Sequence, residues 1–365
     1  MAHRVAIIGQ SNSILHTGFV AHLMHRPEIE LGHMGRIGGS PLNLLPFYAT
    51  PEWLAGHDVC ILDIAVADQV FLWADAIDPA AIAQYLGYAL QMIHAAGCLP
   101  LVLIIPHKSV LPHVAGGGKV PLLHQIYRAV AARYDAMLLD LTDGLDHLGR
   151  RSRAALEAAY ADPNHLAEAT QRDVADRIVA LIAEAAATSI ERHRVSSAIP
   201  NFDRLGLAGL CPQAPAILQL TSLYKARFTV ISPGDRLALP TGQFDQLHAV
   251  LVNRSRSNAK LVIEGNQTVV KAMGTGNERS QPFVAQLCPV TTPVRDRDGI
   301  IALSFAHPNA AVTEASFDPL EDNGGTVEIS ELLVERGWRV IDFDMPSLPP
   351  SLALPAWQPR LLGHS

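Results

Sequence analysis

Arg4-Val5-Ala6-Ile7-Ile8-Gly9-Gln10-Ser11-Asn12-Ser13 is the stretch that decides the fold. A β-branched apolar run ends on a glycine and breaks at once into polar residues, the pattern of a buried strand handing over to a helix. The same grammar recurs through the first half of the chain. Short apolar runs stand at Val59 to Ala65, Leu101 to Pro106 and Ala136 to Leu141, with a weaker one over Leu31 to Ile37. Their near-continuous apolarity predicts parallel strands covered on both faces, joined by crossover helices. Asp78-Pro79 supplies an N-cap and a first-turn proline, Ile82, Leu86, Leu90 and Ile93 follow at helical spacing, and Gly97 closes that helix. A second helix is predicted over about Leu166 to Ala187, with Val174, Ile178, Leu181 and Ile182 on one stripe.

From Thr188 to Pro215 the pattern lapses into polar residues and then Pro200, Gly206, Gly209, Pro212 and Pro215, which predicts a connection. Beyond it, short runs at Arg227 to Ser232, His248 to Asn253, Ala259 to Glu264, Thr268 to Ala272, Ile300 to Phe305 and Gly325 to Ile329 alternate with Gly, Pro, Asn and Asp turns. That spacing predicts an antiparallel sandwich. Five prolines, Pro346, Pro349, Pro350, Pro355 and Pro359, predict a tail lying extended over the surface or hanging free. The expected fold class is thus α/β, a three-layer α/β/α domain followed by an all-β sandwich-like domain. The expected division is an α/β domain over 1–187, a linker over 188–215, a β domain over 216–345 and a tail over 346–365.

The whole chain is 365 residues long, 49% hydrophobic and 17% charged, enough apolar surface to offset the entropy of ordering it. It carries 28 Lys plus Arg against 35 Asp plus Glu, a formal charge of −7, with no basic block. This balance argues against a nucleic-acid partner. The start is too short for a signal h-region and no apolar run approaches the roughly 20 residues of a membrane span, so a soluble, cytoplasmic protein is expected. Cys60, Cys98, Cys211 and Cys288 lie too far apart for a metal knuckle or a dense disulfide framework.

In an open parallel sheet, chemistry is sought in the loops beyond the carboxyl ends of the strands. Three loops qualify. The first is Gly9-Gln10-Ser11-Asn12-Ser13. The second is Arg36-Ile37-Gly38-Gly39-Ser40, whose glycines let backbone N–H groups approach a ligand. The third is Asp162-Pro163-Asn164-His165, just ahead of the closing helix.

With these three blocks in this order, residues 1 to 187 resemble the SGNH hydrolases, also called the GDSL family, which have a flavodoxin-like fold. Gly9-Gln10-Ser11-Asn12-Ser13 stands where that family carries its nucleophilic serine, with Gln10 replacing the usual aspartate. Asp162 and His165 match its closing Asp-x-x-His block. The resemblance implies Ser11 as nucleophile, His165 as its base and Asp162 as the group orienting the imidazole. It implies an oxyanion hole from the backbone N–H groups of Ser11 and Gly39, with Gly38 as the alternative, helped by the helix that follows Ser11. The Gly-Gln-Ser-Asn form is similar to the carbohydrate-acetyl esterases of the superfamily, so the implied substrate is an acylated, O-acetylated carbohydrate.

One block departs. Where the family reads Gly-x-Asn-Asp, this chain has Ala65-Val66-Ala67-Asp68, so the donor asparagine is Ala67. Losing one oxyanion donor typically costs about 10²–10³ in kcat. Asn12 and Asn43 are the candidates to replace it. Gln10, Asn12, Asn43 and Asp68 are the candidate substrate contacts, Asp68 reading more readily as structural than as catalytic. The resemblance leaves two alternatives to hydrolysis: O-acetyl transfer to an exopolysaccharide, or a degenerate glycan-binding or scaffold role in bacterial cellulose or exopolysaccharide synthesis.

Each loop also has a plain structural reading. Ser11 to Ser13 makes an ordinary helix N-cap, Asp162-Pro163 another, and Gly38-Gly39 a turn. Gly116-Gly117-Gly118-Lys119 lacks the spacing of a P-loop and is followed by Val120. His16, His22 and His25 share one region, yet no carboxylate or cysteine completes a metal site there, so no metal and no cofactor is expected. His107, after the Leu101 to Pro106 run, is a candidate to border the crevice or a surface histidine. No aromatic cluster is visible in the β domain.

Overall fold

The computed structural model describes residues 2–36, 50–73, 77–116, 121–220, 225–240, 242, 244–274, 284–297, 300–306, 310–314, 325–353 and 357. Its first half is a five-stranded parallel sheet of β1 (His3–Gly9), β2 (Ile29–Arg36), β3 (Val59–Asp63), β4 (Leu99–Ile104) and β5 (Met137–Asp140) in the order β2-β1-β3-β4-β5. This is the flavodoxin-like order, and its strand sequence reverses between β1 and β3. The period-2 geometry of the strands divides the buried residues between two faces. Ala6, Ile8, Cys60, Leu62 and Val102 pack with the helices Pro79–Ala95 and Leu122–Arg133. Val5, Ile7, Ile61, Leu103 and Leu139 pack with the helices Phe19–Leu23, Thr142–Arg151 and Glu168–Ala187. Burial on both sides is why these strands read as unbroken apolar runs.

Helix Pro79–Ala95 starts as its sequence predicts, the Asp78 carboxylate accepting from the Ala80 N–H at 2.6 Å, and Gly97 follows it at φ +81°.

The later chain supplies β6 (Arg192–Gly206), β7 (Ala216–Leu220), β8 (Lys225–Ile231), β9 (Arg236–Pro240), β10 (Gln246–Asn253), β11 (Ala259–Glu264), β12 (Thr268–Met273), β13 (Ala285–Arg295), β14 (Ile300–Phe305) and β15 (Val327–Pro346). One antiparallel sheet runs β13-β10-β15-β8-β7, with β6 also on β15; the other runs β12-β11-β14-β9. Leu247, Val250, Leu261, Ile263, Ile329 and Leu332 fill the space between them. The sandwich packs against the helical layer of the α/β half, because Ile199, Ala249, Leu251, Leu287 and Leu333 share a cluster with Tyr85 and Leu86.

Two expectations differ from the structure. The predicted connection over 188–215 contains β6, which pairs along β15 from Gly206 to Arg192. The predicted loose tail forms a helical turn at Pro350–Ala353 and returns to the α/β core, where Leu352 and Trp357 are buried. Gly144 is glycine for that reason: a Cβ there would collide with the Trp357 carbonyl.

All four cysteines are buried thiols outside any disulfide. Among the described residues, no helix is long and apolar enough to cross a membrane and no group of three or more His, Cys, Asp or Glu is placed to hold a metal.

Candidate active site

Gly9 ends β1 where a Cβ would collide with the Ser13 side chain, so glycine lets the next turn fold back over the strand end. The Gln10 carbonyl accepts from the N–H groups of Ser13 at 2.9 Å and Ile14 at 3.1 Å, opening a one-turn helix, Ser11–Ile14. Gln10 holds the N-cap position without a side-chain cap bond, so the Ser11 hydroxyl is not spent on capping. A single turn carries little macrodipole, and the helix adds less at Ser11 than its sequence implies.

Asp63, the last residue of β3, fixes this turn from below. Its Oδ2 accepts from Ser13 Oγ at 2.5 Å, and the backbone N–H groups of Gln10 and Ser13 also reach its carboxylate. Burial pushes the Asp63 carboxyl up to about 6, against the pull of those donors and of the nearby His165. The role of Asp63 is not readable from the sequence, where it is only the close of an apolar run.

The third loop is pinned from three sides. Tyr160 Oη donates to the Pro106 carbonyl at 2.8 Å, Lys108 N–H donates to the Pro163 carbonyl at 2.8 Å, and Asn12 Nδ2 donates to the Asn164 carbonyl at 3.0 Å. Asn12 Oδ1 accepts from the Leu166 N–H at 3.3 Å and from Gln171 Nε2 at 2.8 Å. Asn12 is therefore a buried strap tying the Ser11 turn to the His165 loop; its expected role as a substrate contact or oxyanion donor is corrected, since its amide is committed to protein. Gly18 makes room for the strap, because a Cβ there would collide with the Asn12 carbonyl.

Within that loop, His165 Nδ1 lies 2.6 Å from Asp162 Oδ2, and Asp162 Oδ1 accepts from the N–H groups of Asn164 at 2.8 Å and His165 at 3.0 Å. Asp162 does not cap the closing helix, which begins at Glu168 with Ala167 as its N-cap. Partial burial raises the Asp162 carboxyl, but the hydrogen bonds from the His165 ring and the two backbone N–H groups outweigh it and hold the group below the usual range. Asp162 is thus ionised at neutral pH, and with Nδ1 committed to it, Nε2 is the ring nitrogen left for a hydroxyl.

Gln10, Ser11, Asn164 and His165 line one crevice of about 460 Å³, at the carboxyl ends of the strands and at the β1/β3 reversal. Ala67 lines the same crevice from the first turn of helix Ala65–Trp73, placing a methyl group where the resemblance expects an amide. Asp68, one residue on, is fully buried and accepts from Tyr127 Oη, so the expectation that it contacts substrate is corrected. Gly38, Gly39 and Asn43 lie outside the described residues. His107 does not line the crevice; it sits 4.9 Å from Trp73, ring centroid to centroid, beside the Asp162 loop.

The opposite wall comes from the sandwich. Arg254, Val284, Ala285 and Gln286, around the end of β10 and the start of β13, complete the crevice with Ile14, Val66, Val70 and Phe71. No local signal in the sequence ties residues 254 and 286 to Ser11; only the docking of the two halves does so.

No protein-family model and no curated protein matches this sequence. Solved structures do match the fold. A two-domain esterase (CEX) active on acetylated mannans aligns over 92% of this chain and 92% of its own, with a TM-score of 0.61 at 11% identity. The same esterase co-crystallised with mannopentaose aligns over the same shares with a TM-score of 0.56. The chain thus has a flavodoxin-like α/β fold carrying an antiparallel β domain, a fold it shares with that two-domain esterase.

Proposed function

We propose that this protein is a serine esterase that removes small acyl groups, O-acetyl above all, from a carbohydrate. The observation that carries the proposal is that Ser11 and the Asp162-paired His165 line the same crevice at the switch point of the sheet. The activity named for the mannan esterase of like fold supports the substrate class.

His165 Nε2 takes the Ser11 proton as Oγ attacks the ester carbonyl, and Asp162 steadies the imidazolium that forms. The buried charge of Asp63 adds to that field. The Ser11 N–H meets the oxyanion. Collapse expels the sugar alkoxide, which takes the proton back from His165, and leaves an acetyl-serine. Water, deprotonated by the same imidazole, then releases acetate. Ile14, Val66, Val70 and Phe71 give the acetyl methyl an apolar wall, while Gln10, Asn164, Gln286 and Arg254 offer polar groups to sugar hydroxyls.

The methyl of Ala67 in the crevice is the one observation favouring a non-hydrolytic, glycan-binding role. Acetate release from acetylated mannan and acetylated xylan, compared between the native protein and Ser11→Ala, separates the two. Release that vanishes in Ser11→Ala is expected; equal release by both, or none by the folded native protein, overturns the esterase.

A further inference from the structure

A second cleft, of about 220 Å³, opens where helix Pro79–Ala95 meets the sandwich, and it shares no residue with the crevice. Its walls carry Tyr88 from the α/β half and Phe202 and Trp338 from the β half. Tyr88 and Trp338 stand edge to face at 6.2 Å, and Tyr88 lies 6.1 Å from Phe202. Trp338 is 57% exposed, a large apolar surface left in water. The chain makes a bulge to present it: the β6–β15 register shifts between Glu335 and Trp338, and Gly337 adopts φ +71°.

The polar side of the cleft is a buried carboxylate. Glu335 accepts from Gln246 Nε2 at 3.1 Å and from His248 Nε2 at 3.0 Å, and Tyr85 Oη lies 2.6 Å from His248 Nδ1. A carboxylate has about four acceptor positions, so these contacts leave Glu335 capacity for further donors.

We propose that this cleft binds one unsubstituted pyranose unit of the glycan whose acetylated unit occupies the crevice. Aromatic faces beside hydroxyl-accepting carboxylate and amide groups suit a ring with apolar C–H faces and an equatorial fringe of hydroxyls. The volume falls below the roughly 300–1,000 Å³ of sites for larger ligands, matching a single ring. An aromatic cage for an organic cation is disfavoured, since the rings pack edge to face on one another and the carboxylate already holds His248. Strand β13 links the two sites, with Gln286 in the crevice and Thr291 in the cleft. The regularly paired stretch from Gln286 to Pro289, which also lines the cleft, spans about 10 Å before the strand bulges, a separation that an oligosaccharide bridges and a monosaccharide ester does not. Engaging both sites raises effective concentration for a polymer without changing the chemistry at Ser11.

The site rests on the carbohydrate reading, and its test keeps the two apart. Full-length Ser11→Ala is titrated with unacetylated mannopentaose and with longer unacetylated mannan, with and without Trp338→Ala; Tyr88→Leu serves as a second variant from the other wall. Trp338→Ala is expected to weaken binding by on the order of tenfold, and in the Ser11 protein to raise KM for acetylated polymer while leaving p-nitrophenyl acetate turnover unchanged. Binding that neither variant alters overturns the site, even where acetate release upholds the esterase. Trp338-dependent binding without acetate release upholds the site and overturns the esterase. Trp338 fluorescence that responds to tetramethylammonium and not to glycan also overturns it.

Discussion

Replacing Asp63 by asparagine probes the charge held beneath the Ser11 turn. The carboxyl is 2% exposed and rises from 3.8 to about 6 on folding, with burial as the main cause. A shift of that size corresponds to about 3 kcal/mol, at roughly 1.4 kcal/mol per pH unit. Its sign follows from linkage. Below 3.8 the group is protonated in both states and contributes no difference; between 3.8 and 6 the folded protein keeps a proton that the unfolded chain has lost, so stability falls as pH rises. Above 6 the full penalty is present. The substituted amide would retain a carbonyl oxygen for Ser13 Oγ and the backbone donors but carry no charge. Urea denaturation of both proteins from pH 4 to 7 should therefore show Asp63→Asn gaining on the native protein by about 2–3 kcal/mol over that range. Esterase activity should fall at the same time, because the charge facing the His165 imidazolium is lost. Parallel stability curves, or a native protein that gains on the variant as pH rises, would refute the account of Asp63.

Three further outcomes follow from the same geometry. Asn12→Ala leaves Leu166 N–H, the Asn164 carbonyl and Gln171 without their shared partner; a loss of about 2–4 kcal/mol in denaturant unfolding is expected, with a fall in kcat as the His165 loop comes free. Asp162→Asn keeps the shape of the loop but offers the His165 ring no anion; kcat should fall by several orders of magnitude while KM holds, as steady-state kinetics on p-nitrophenyl acetate would show. Trp357→Ala removes a buried ring from the α/β core and should lower stability by about 3–5 kcal/mol, whereas a freely hanging tail would tolerate it unchanged.

The parallel strands are legible because strands buried on both faces have no polar positions to blur them. The serine and Asp-x-x-His loops are legible because each follows a clear strand or precedes a clear helix. Strand β13 escapes a sequence reading because Pro289 and Pro293 break its pattern, yet it lies at the edge of its sheet, where a missing N–H costs no ladder bond. Strand β6 escapes it because its first residues are exposed and polar, pairing with β15 on one side only. Neither Arg254 at the crevice nor Trp338 at the second cleft carries a local signal, since both sites form only when the halves dock. Asn12 misleads for a related reason: an amide near a nucleophile suggests a ligand contact, and only the fold shows its atoms committed to the loop that carries His165.

Labelling with a fluorophosphonate, followed by peptide mass spectrometry, tests most directly whether Ser11 is activated by His165 across the crevice. Modification confined to Ser11, and slowed strongly by His165→Ala, is the predicted result. Modification at another residue, or at Ser11 with the same rate in His165→Ala, would contradict it.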